Sequence, residues 1–319
     1  PSRWNTRKTS SAKTARSCSV EKVLPLELRR WYDPSMSTTS KSPRRILQTA
    51  HELASGVLPQ YSHLYSPKKF TLPQLFACLV LKAAMKLDYR GVTGLLNDST
   101  ELREAIGLTI VPHFTTLQKG APRLLKMPVV EQLLARSVRR AAPRRKRVKV
   151  TAIDSTGFES HHCSRYFVKR RSRLENLWQT TTYKRFPKLG IVCDVATHLI
   201  LAIHPTRGPT PDIHQLKTPL RKAHQVLPIG KLLADAGYDS ESNHRYCREE
   251  LKITTLIPPF HGRPTHEPTT GRYRRLMQTR FDRTQYGQRW QAETVMSMLK
   301  RRQGDATSCL LYTSDAADE

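Results

Sequence analysis

The sequence predicts a mixed, α+β fold in which a helical N-terminal domain is followed by a mixed β-sheet flanked by helices. The first half carries apolar residues at helical spacing. The second half alternates apolar runs with amphipathic stretches, in the order three strands, helix, strand, helix, strand, helix. Pro143 interrupts a basic stretch between the halves and marks the domain boundary. We expect a basic arm at 1–42, a helical domain at 43–142, a sheet domain at 143–308 and a non-native tail at 309–319.

Capping signals place the helices of the first half. Ser42 and Pro43 are a cap and a first-turn proline for a helix that ends at Gly56. Thr71 opens a second helix, whose nearly continuous apolar character predicts burial. Shorter helices are predicted at 92–96, 101–106, 114–125 and 129–141. Together they predict a helical bundle.

Apolar runs that end in turn residues predict the sheet. A strand at 148–153 delivers Asp154 at its end, and a strand at 231–234 ends at Asp235. An aspartate in such a place more often caps a turn or a helix than performs chemistry. The remaining predicted elements are an antiparallel hairpin with Asp194 as a turn residue, a helix at 212–226, a helix at 241–251 capped by Asp239 and Ser240, a strand at 254–257, a basic loop at 260–283 and a helix at 284–302.

The charge balance predicts a polyanionic partner. Lysine and arginine total 54 against 26 acidic residues, which gives a formal net charge of +28. Such an excess opposes compaction through self-repulsion, and nucleic acid is the obvious partner that would offset it. No apolar run approaches the roughly 18 residues of a membrane-spanning helix, so we expect no membrane partner.

The six cysteines are scattered, without a Cys-x-x-Cys pair, and they indicate a reducing cytoplasm. A zinc site is an alternative use of some of them. Its candidate ligands are His161, His162 and Cys163, with His244 and Cys247 on a shared helix face. A closed tetrahedral site needs four ligands, and the paired spacings typical of such sites are missing.

The helix predicted at 284–302 carries a pattern of regularly spaced residues. Tyr286, Arg289, Glu293, Met296 and Lys300 lie 3 or 4 residues apart, so they form one stripe on a helix face. Beside the stripe, apolar surface for docking is expected from Trp290, Val295, Met298 and Leu299. Taken alone, this pattern fits a surface helix with an ion pair between positions 289 and 293.

The pattern Tyr286-x-x-Arg289-x-x-x-Glu293, with Lys300 seven residues later, resembles the Tyr-Arg-Glu-Lys signature of bacterial insertion-sequence transposases of the DDE type. Asp-Ser-Thr-Gly from Asp154 resembles the first aspartate block of that family, and Ala-Asp-Ala-Gly-Tyr-Asp-Ser around Asp235 resembles the second. The resemblance implies a ribonuclease H-like catalytic domain. It also implies that Asp154, Asp235 and Glu293 are the catalytic carboxylates and bind Mg²⁺ or Mn²⁺.

DNA contacts are expected from basic residues around these acids and from one tyrosine. The candidates are Tyr286, Arg289 and Lys300 on the C-terminal helix, Arg144, Arg145, Lys146 and Arg147 beside Pro143, and Arg170 and Arg171 in a second basic tract. The resemblance implies double-stranded DNA as partner, at the ends of the element and at the target, and at least two subunits acting together. It further implies a prokaryotic, nucleoid-associated protein whose helical domain contacts the element ends, with a lid or dimerisation domain as the alternative.

Two other functions compete with a transposase that cleaves DNA and transfers strands. One is a DNA-binding protein that has lost or exchanged its chemistry, and the other is a ribonuclease H-like nuclease without strand transfer. The tail Cys309–Glu319 resembles the translation of a sequencing-library adapter, so we expect it to be non-native. Because the chain starts at Pro1 and its family-like part stops soon after Lys300, we expect truncation at both ends.

Overall fold

The computed structural model describes residues 41–65, 67–160, 186–208, 210–259, 269–304 and 306–307. The chain separates into two compact units, Pro1–Ser42 and Pro43–Glu319, and every element below belongs to the second. Several sequence predictions lie outside the described residues. They concern the arm at 1–40, the cluster His161 to Cys163, the cations Arg170 and Arg171, and the tail at 309–319.

Six helices form the first half of the second unit. They are α1 (Pro43–Ser55), α2 (Leu72–Ala84), α3 (Tyr89–Asp98), α4 (Thr100–Glu104), α5 (Phe114–Leu124) and α6 (Met127–Ala141). Thr71 begins α2 with a full capping box, because its side chain accepts from the Gln74 N–H while the Gln74 side chain accepts from the Thr71 N–H. Leu47, Leu81, Leu96 and Leu117 are fully buried where these helices meet. The predicted helical bundle is confirmed.

A five-stranded mixed sheet forms the second half. The chain runs through β1 (Val148–Gly157), β2 (Glu159–Ser160), β3 (Phe186–Asp194), β4 (Ile200–Gly208), α7 (Lys217–Val226), β5 (Ile229–Leu233), α8 (Glu241–Arg245), β6 (Thr254–Leu256), α9 (Arg272–Thr279), α10 (Arg283–Tyr286), α11 (Trp290–Gln303) and β7 (Ala306–Thr307). The strand order is β4-β3-β1-β5-β6, and a small parallel pair joins β2 to β7. β3 pairs antiparallel with β1 and β4, whereas β5 pairs parallel with β1 and β6. The predicted mixed sheet flanked by helices is confirmed.

The sheet is covered on both faces, which explains the runs of successive buried apolar residues in β1, β3 and β5. Ile153 and Val192 face one core together with Leu220 and Ala223 of α7. Alternate strand residues, such as Ala152 and Ile191, face a second core that includes Val295 and Met296 of α11. Because neighbouring residues of a strand point to opposite faces, Asp154 shares the face of Ala152, which is the α11 side.

The turn between β3 and β4 is built on Asp194, as predicted. Its carboxylate is 1% exposed and accepts from the Thr197 N–H at 3.0 Å. Arg145 donates two hydrogen bonds to the same carboxylate, at 2.5 and 3.1 Å. One of the cations predicted to contact DNA therefore stabilises this turn.

The structure corrects several predicted boundaries. β1 continues to Gly157, so Asp154 lies within the strand and not at its end. The helix predicted at 212–226 begins later than predicted. Pro211 and a 3₁₀ turn, Asp212–His214, occupy the residues before it, so α7 begins at Lys217. The predicted basic loop at 260–283 contains α9. The helix predicted at 241–251 is α8 followed by a π-helical turn, Tyr246–Glu250.

The C-terminal helix also differs from the prediction, since it is not continuous. A 3₁₀ turn, Gly287–Arg289, separates α10 from α11, so the five-residue stripe is not carried by one helix. The buried residues of α11 are Ala292, Val295 and Met296, whereas Trp290 and Met298 are exposed. The change of helix type at Gly287 rotates the later residues relative to the ideal 3.6-residue period.

Candidate active site

Two predicted acidic residues lie side by side at the same edge of the sheet. Ala152 of β1 pairs with Leu233 of β5 in parallel register, and Asp154 and Asp235 each follow two residues later. Continued by two residues, this register places the aspartates at one level, with Asp154 within β1 and Asp235 two residues beyond the end of β5. Each carboxylate accepts a hydrogen bond from the next backbone N–H, Asp154 from Ser155 at 2.8 Å and Asp235 from Ala236 at 2.7 Å.

Glu293 reaches this edge from α11, one turn beyond the start of the helix. Ala292, Val295 and Met296 dock the helix on the sheet, and the Gln291 side chain contacts His198 of the β3–β4 turn at 2.5 Å. These contacts leave Glu293 on the exposed side, with 57% of its side chain accessible. The carboxylate is consequently presented beside the sheet and is not buried in the core.

Arg289 joins the acids of the helix and the sheet. One terminal guanidinium nitrogen lies 2.6 Å from a Glu293 oxygen, and the other lies 3.7 Å from an Asp154 oxygen. Burial raises the pKa of the nearby Tyr286 hydroxyl, and the positive guanidinium opposes that rise. Three of the four signature positions thus meet at the edge that carries Asp154 and Asp235.

The fourth signature position, Lys300, lies two turns further along α11. Its ammonium sits 5.5 Å from the centre of the Phe158 ring, just beyond β1. Arg144, Lys146 and Arg147 are exposed on the chain that enters β1, in contrast to the ion-paired Arg145. The structure therefore separates the predicted DNA-contacting cations into a turn-stabilising residue and accessible ones.

Burial, and repulsion between the carboxylates, shift pKa values in the site. The pKa of Asp154 is raised, chiefly by burial and further by the Asp235 and Glu293 carboxylates, although the Ser155 N–H and Arg289 oppose this. Burial also raises the pKa of Tyr286. The raised pKa of Asp154 indicates that the Ser155 N–H and Arg289 do not fully replace the solvent that the carboxylate loses on burial.

The donor set suits a hard divalent cation. Three carboxylates supply only oxygen ligands, and the edge of the sheet is open enough to leave positions for water and substrate. Two of the acids, Asp154 and Glu293, contact one positive group, the Arg289 guanidinium. Within the described ranges, however, no three His, Cys, Asp or Glu side chains are close enough to hold one metal ion. The chemistry of the residues fits Mg²⁺ or Mn²⁺, and a shared site requires the carboxylates to close around it.

A fourth acidic residue beside the site was missed by the sequence analysis. Asp212, in the 3₁₀ turn after β4, accepts from the Ser155 hydroxyl at 2.7 Å and pairs with Lys188 at 2.7 Å. Tyr238, which is 1% exposed, ends the 3₁₀ turn that follows Asp235, and burial and the Asp212 carboxylate raise the pKa of its hydroxyl. This network contacts the segments of both aspartates from the opposite face of the sheet. The one sequence feature that could have indicated this network is Tyr238, which lies between the two aspartates of the second block.

The second aspartate of that block has a different role from the predicted one. Ser240 does cap α8, since its hydroxyl accepts from the Asn243 N–H at 3.1 Å. Asp239 does not cap it. Its side chain is fully buried and pairs with Arg274 of α9 at 2.7 Å and with His244 at 3.4 Å.

His244 and Cys247, the described part of the alternative zinc site, are used within the core. The His244 ring contacts the Thr255 hydroxyl at 2.7 Å, and Cys247 is fully buried. Burial raises the pKa of the Cys247 thiol to about 12, so the thiolate that zinc prefers is disfavoured. In the described part of the chain, these two residues do not belong to a group of three His, Cys, Asp or Glu side chains that could hold a metal ion.

Comparison with known protein families assigns the sheet domain. A family model described as a transposase DDE domain matches residues 146–316, more than half of the chain. The matched region contains both aspartates and Glu293. Comparison with curated proteins gives no match. The match and the fold lead to one conclusion, that the chain belongs to the family of transposases with a DDE domain.

Proposed function

We propose that the protein is a DNA transposase that cleaves phosphodiester bonds at the ends of an insertion sequence and joins the freed ends to target DNA. The observation that carries the proposal is the level placement of Asp154 and Asp235, with Arg289 linking Glu293 to the same edge. The family match supports the kind of enzyme. In this proposal all three carboxylates are catalytic.

Asp154, Asp235 and Glu293 would hold Mg²⁺ or Mn²⁺. Held by these three carboxylates, such ions would supply activation of the attacking oxygen and stabilisation of the leaving oxygen in an in-line displacement at phosphorus. The carboxylates and the DNA backbone bring negative charge to one place. Arg289 and Lys300 would offset that charge and orient phosphate oxygens, since a guanidinium binds them through two parallel hydrogen bonds.

DNA as the partner follows from the charge of the whole chain. With a net charge of +28, the protein would bind the phosphate backbone without regard to sequence, and Arg144, Lys146 and Arg147 lie exposed next to the sheet domain. We further propose that two or more subunits act together on paired ends, in the cytoplasm of a prokaryotic host. In the described part of the chain, no helix is both long enough and apolar enough to span a membrane.

Nicking of supercoiled plasmid in Mg²⁺ tests the chemistry. We expect the parent to nick, and we expect Asp154→Ala and Glu293→Gln to lose this activity. Glu104→Gln is the control, because it removes an exposed carboxylate of α4 in the helical half. If the two site variants nick as well as the parent, the assignment of the carboxylates is wrong. If the parent does not nick while it still binds DNA, the protein is a binding protein.

Strand transfer requires a separate assay. Pre-cleaved duplexes that carry the inverted repeats flanking the reading frame are incubated with target plasmid and Mg²⁺. A transposase joins the 3′ hydroxyl of the duplex to the plasmid. A ribonuclease H-like nuclease without strand transfer nicks the plasmid and yields no joined product.

A further inference from the structure

Arg289 contacts two of the three carboxylates of the proposed site, Asp154 and Glu293, and interacts electrostatically with the third, Asp235. Burial alone would lower its pKa, but Tyr286 and then Asp235, Asp154 and Glu293 raise it, and the net change is upward. The side chain is only 20% exposed, and its two terminal nitrogens point to different acids. The guanidinium is therefore a resident counter-cation of the site.

The three acids are not held equally well. Asp154 and Asp235 are each fixed by a backbone N–H one residue further along the chain. Glu293 is more than half exposed, and its carboxylate is held by Arg289 at 2.6 Å. An exposed ion pair of this kind exchanges partners readily, because its net stabilisation is below about 1 kcal/mol.

The carboxylates around Arg289 are also too far apart to share one cation. Among the described residues, no three potential ligands stand close enough together to hold one metal ion. The guanidinium contacts one Glu293 oxygen, and the carboxylate keeps other positions that could coordinate a metal. A cation held by Asp154 and Glu293 would lie beside the guanidinium that contacts both acids, and the two positive charges would repel each other. Binding of a metal by all three acids is therefore opposed while the guanidinium stays in place.

We propose that Arg289 competes with the divalent metal for Glu293 and Asp154, and that a DNA phosphate relieves this competition by taking the guanidinium. The inference rests on the proposed function, because it uses the same three acids. A phosphate, like a carboxylate, offers the guanidinium two oxygens that accept parallel hydrogen bonds. The consequence is a coupling in which DNA strengthens metal binding, and metal binding strengthens the grip on DNA by the same factor.

Mn²⁺ binding without DNA tests the competition. Free Mn²⁺ is titrated by electron paramagnetic resonance against the parent, Arg289→Gln and Arg302→Gln. The Arg302 variant is the matched control, since it removes one positive charge from an exposed residue in the last turn of α11. We expect Arg289→Gln to bind Mn²⁺ about threefold to tenfold more tightly than the parent, the range set by an ion pair of ordinary strength. Arg302→Gln should change the affinity by less than half as much on a logarithmic scale.

Arg289→Lys distinguishes contact from charge. Lysine keeps the positive charge but lacks the fork that reaches Asp154 and Glu293 at once, so its Mn²⁺ affinity should fall between those of the parent and Arg289→Gln. Thermal melts in EDTA check that each variant unfolds cooperatively. Equal or weaker Mn²⁺ binding by a folded Arg289→Gln, relative to the parent, would overturn the competition.

A second titration in the presence of a saturating short duplex tests the coupling. DNA should raise the Mn²⁺ affinity of the parent severalfold more than that of Arg289→Gln. Equal gains in the two proteins would show that phosphate does not act through Arg289. Failure of the proposed function has a different signature, because Asp154→Asn and Glu293→Gln would then bind Mn²⁺ as well as the parent does.

Discussion

Asp154 of β1 and Asp235, two residues beyond β5, lie at the same level of the sheet because Ala152 and Leu233 are partners in a parallel register. Parallel neighbours bring equivalent positions together, so residues far apart in sequence share one edge. A shift of this register by a single residue would turn one aspartate to the other face. The geometry of the proposed site therefore depends on the pairing of two central strands.

The two aspartates of the second block should respond differently to neutralisation. Asp235→Asn should abolish plasmid nicking and leave the melting temperature nearly unchanged, because Asp235 is exposed. Asp239→Asn should destabilise the fold by about 3 kcal/mol, since it breaks a buried pair with Arg274. Urea denaturation and nicking on both variants provide the comparison. A stable Asp239→Asn protein would contradict the structural role assigned to this aspartate.

Neutralising Asp154 should stabilise the metal-free protein. Its raised pKa means that the folded state holds the proton more tightly than the unfolded state does. The stability linked to Asp154 is thus fully present below the ordinary value of 3.8 and is lost as the pH rises through the raised pKa. Asp154→Asn should increase the melting temperature at pH 7 in EDTA by about 2 °C, the scale expected for a small change in a domain of this size.

The gain from Asp154→Asn should shrink as the pH falls towards 4, because the parent carboxyl then becomes neutral as well. Scanning calorimetry of parent and variant between these pH values gives the difference directly. Glu104→Gln is the control and should show no such gain. A melting temperature of Asp154→Asn below that of the parent at pH 7 would contradict the raised pKa.

Arg144 and Arg145 are adjacent in sequence but should have separable effects. Arg145→Ala should cost about 2–3 kcal/mol of stability, because it leaves the buried Asp194 carboxylate without its ionic partner. Arg144→Ala should preserve stability, weaken DNA binding uniformly across sequences and reduce the slope of log affinity against log salt by about 1. Fluorescence anisotropy over a salt series measures the second effect. Identical salt slopes for parent and Arg144→Ala would exclude a phosphate contact.

Asp212 should act on the proposed chemistry through Ser155. Asp212→Ala removes the acceptor of the Ser155 hydroxyl and the partner of Lys188, so the segment of Asp154 should lose alignment. We expect the nicking rate to fall about tenfold, because small misplacements of reacting groups are costly. Asp212→Asn keeps an acceptor and should recover part of the rate. In a double-mutant cycle, Ser155→Ala should add little to Asp212→Ala, and full additivity would show that the two residues act independently.

Much of the fold could be predicted because the relevant signals are local. Thr71, the hairpin around Asp194 and the apolar strands before the two aspartates all lie where their patterns indicate. The errors have different causes. Local 3₁₀ turns delay the start of α7 and interrupt the C-terminal helix at Gly287. The buried role of Asp239 follows from its tertiary contact with Arg274.

The sequence by itself determined the chemical inventory of the protein: a strongly basic chain, three blocks that each contain an acidic residue, and an order of elements typical of a mixed sheet. Local spacing and composition carry that information. Only the tertiary structure decided that Arg289 stands between Asp154 and Glu293, and that Asp212 contacts Ser155. These relationships depend on strand register and on the docking of α11, which arise from packing between segments that are distant in the chain.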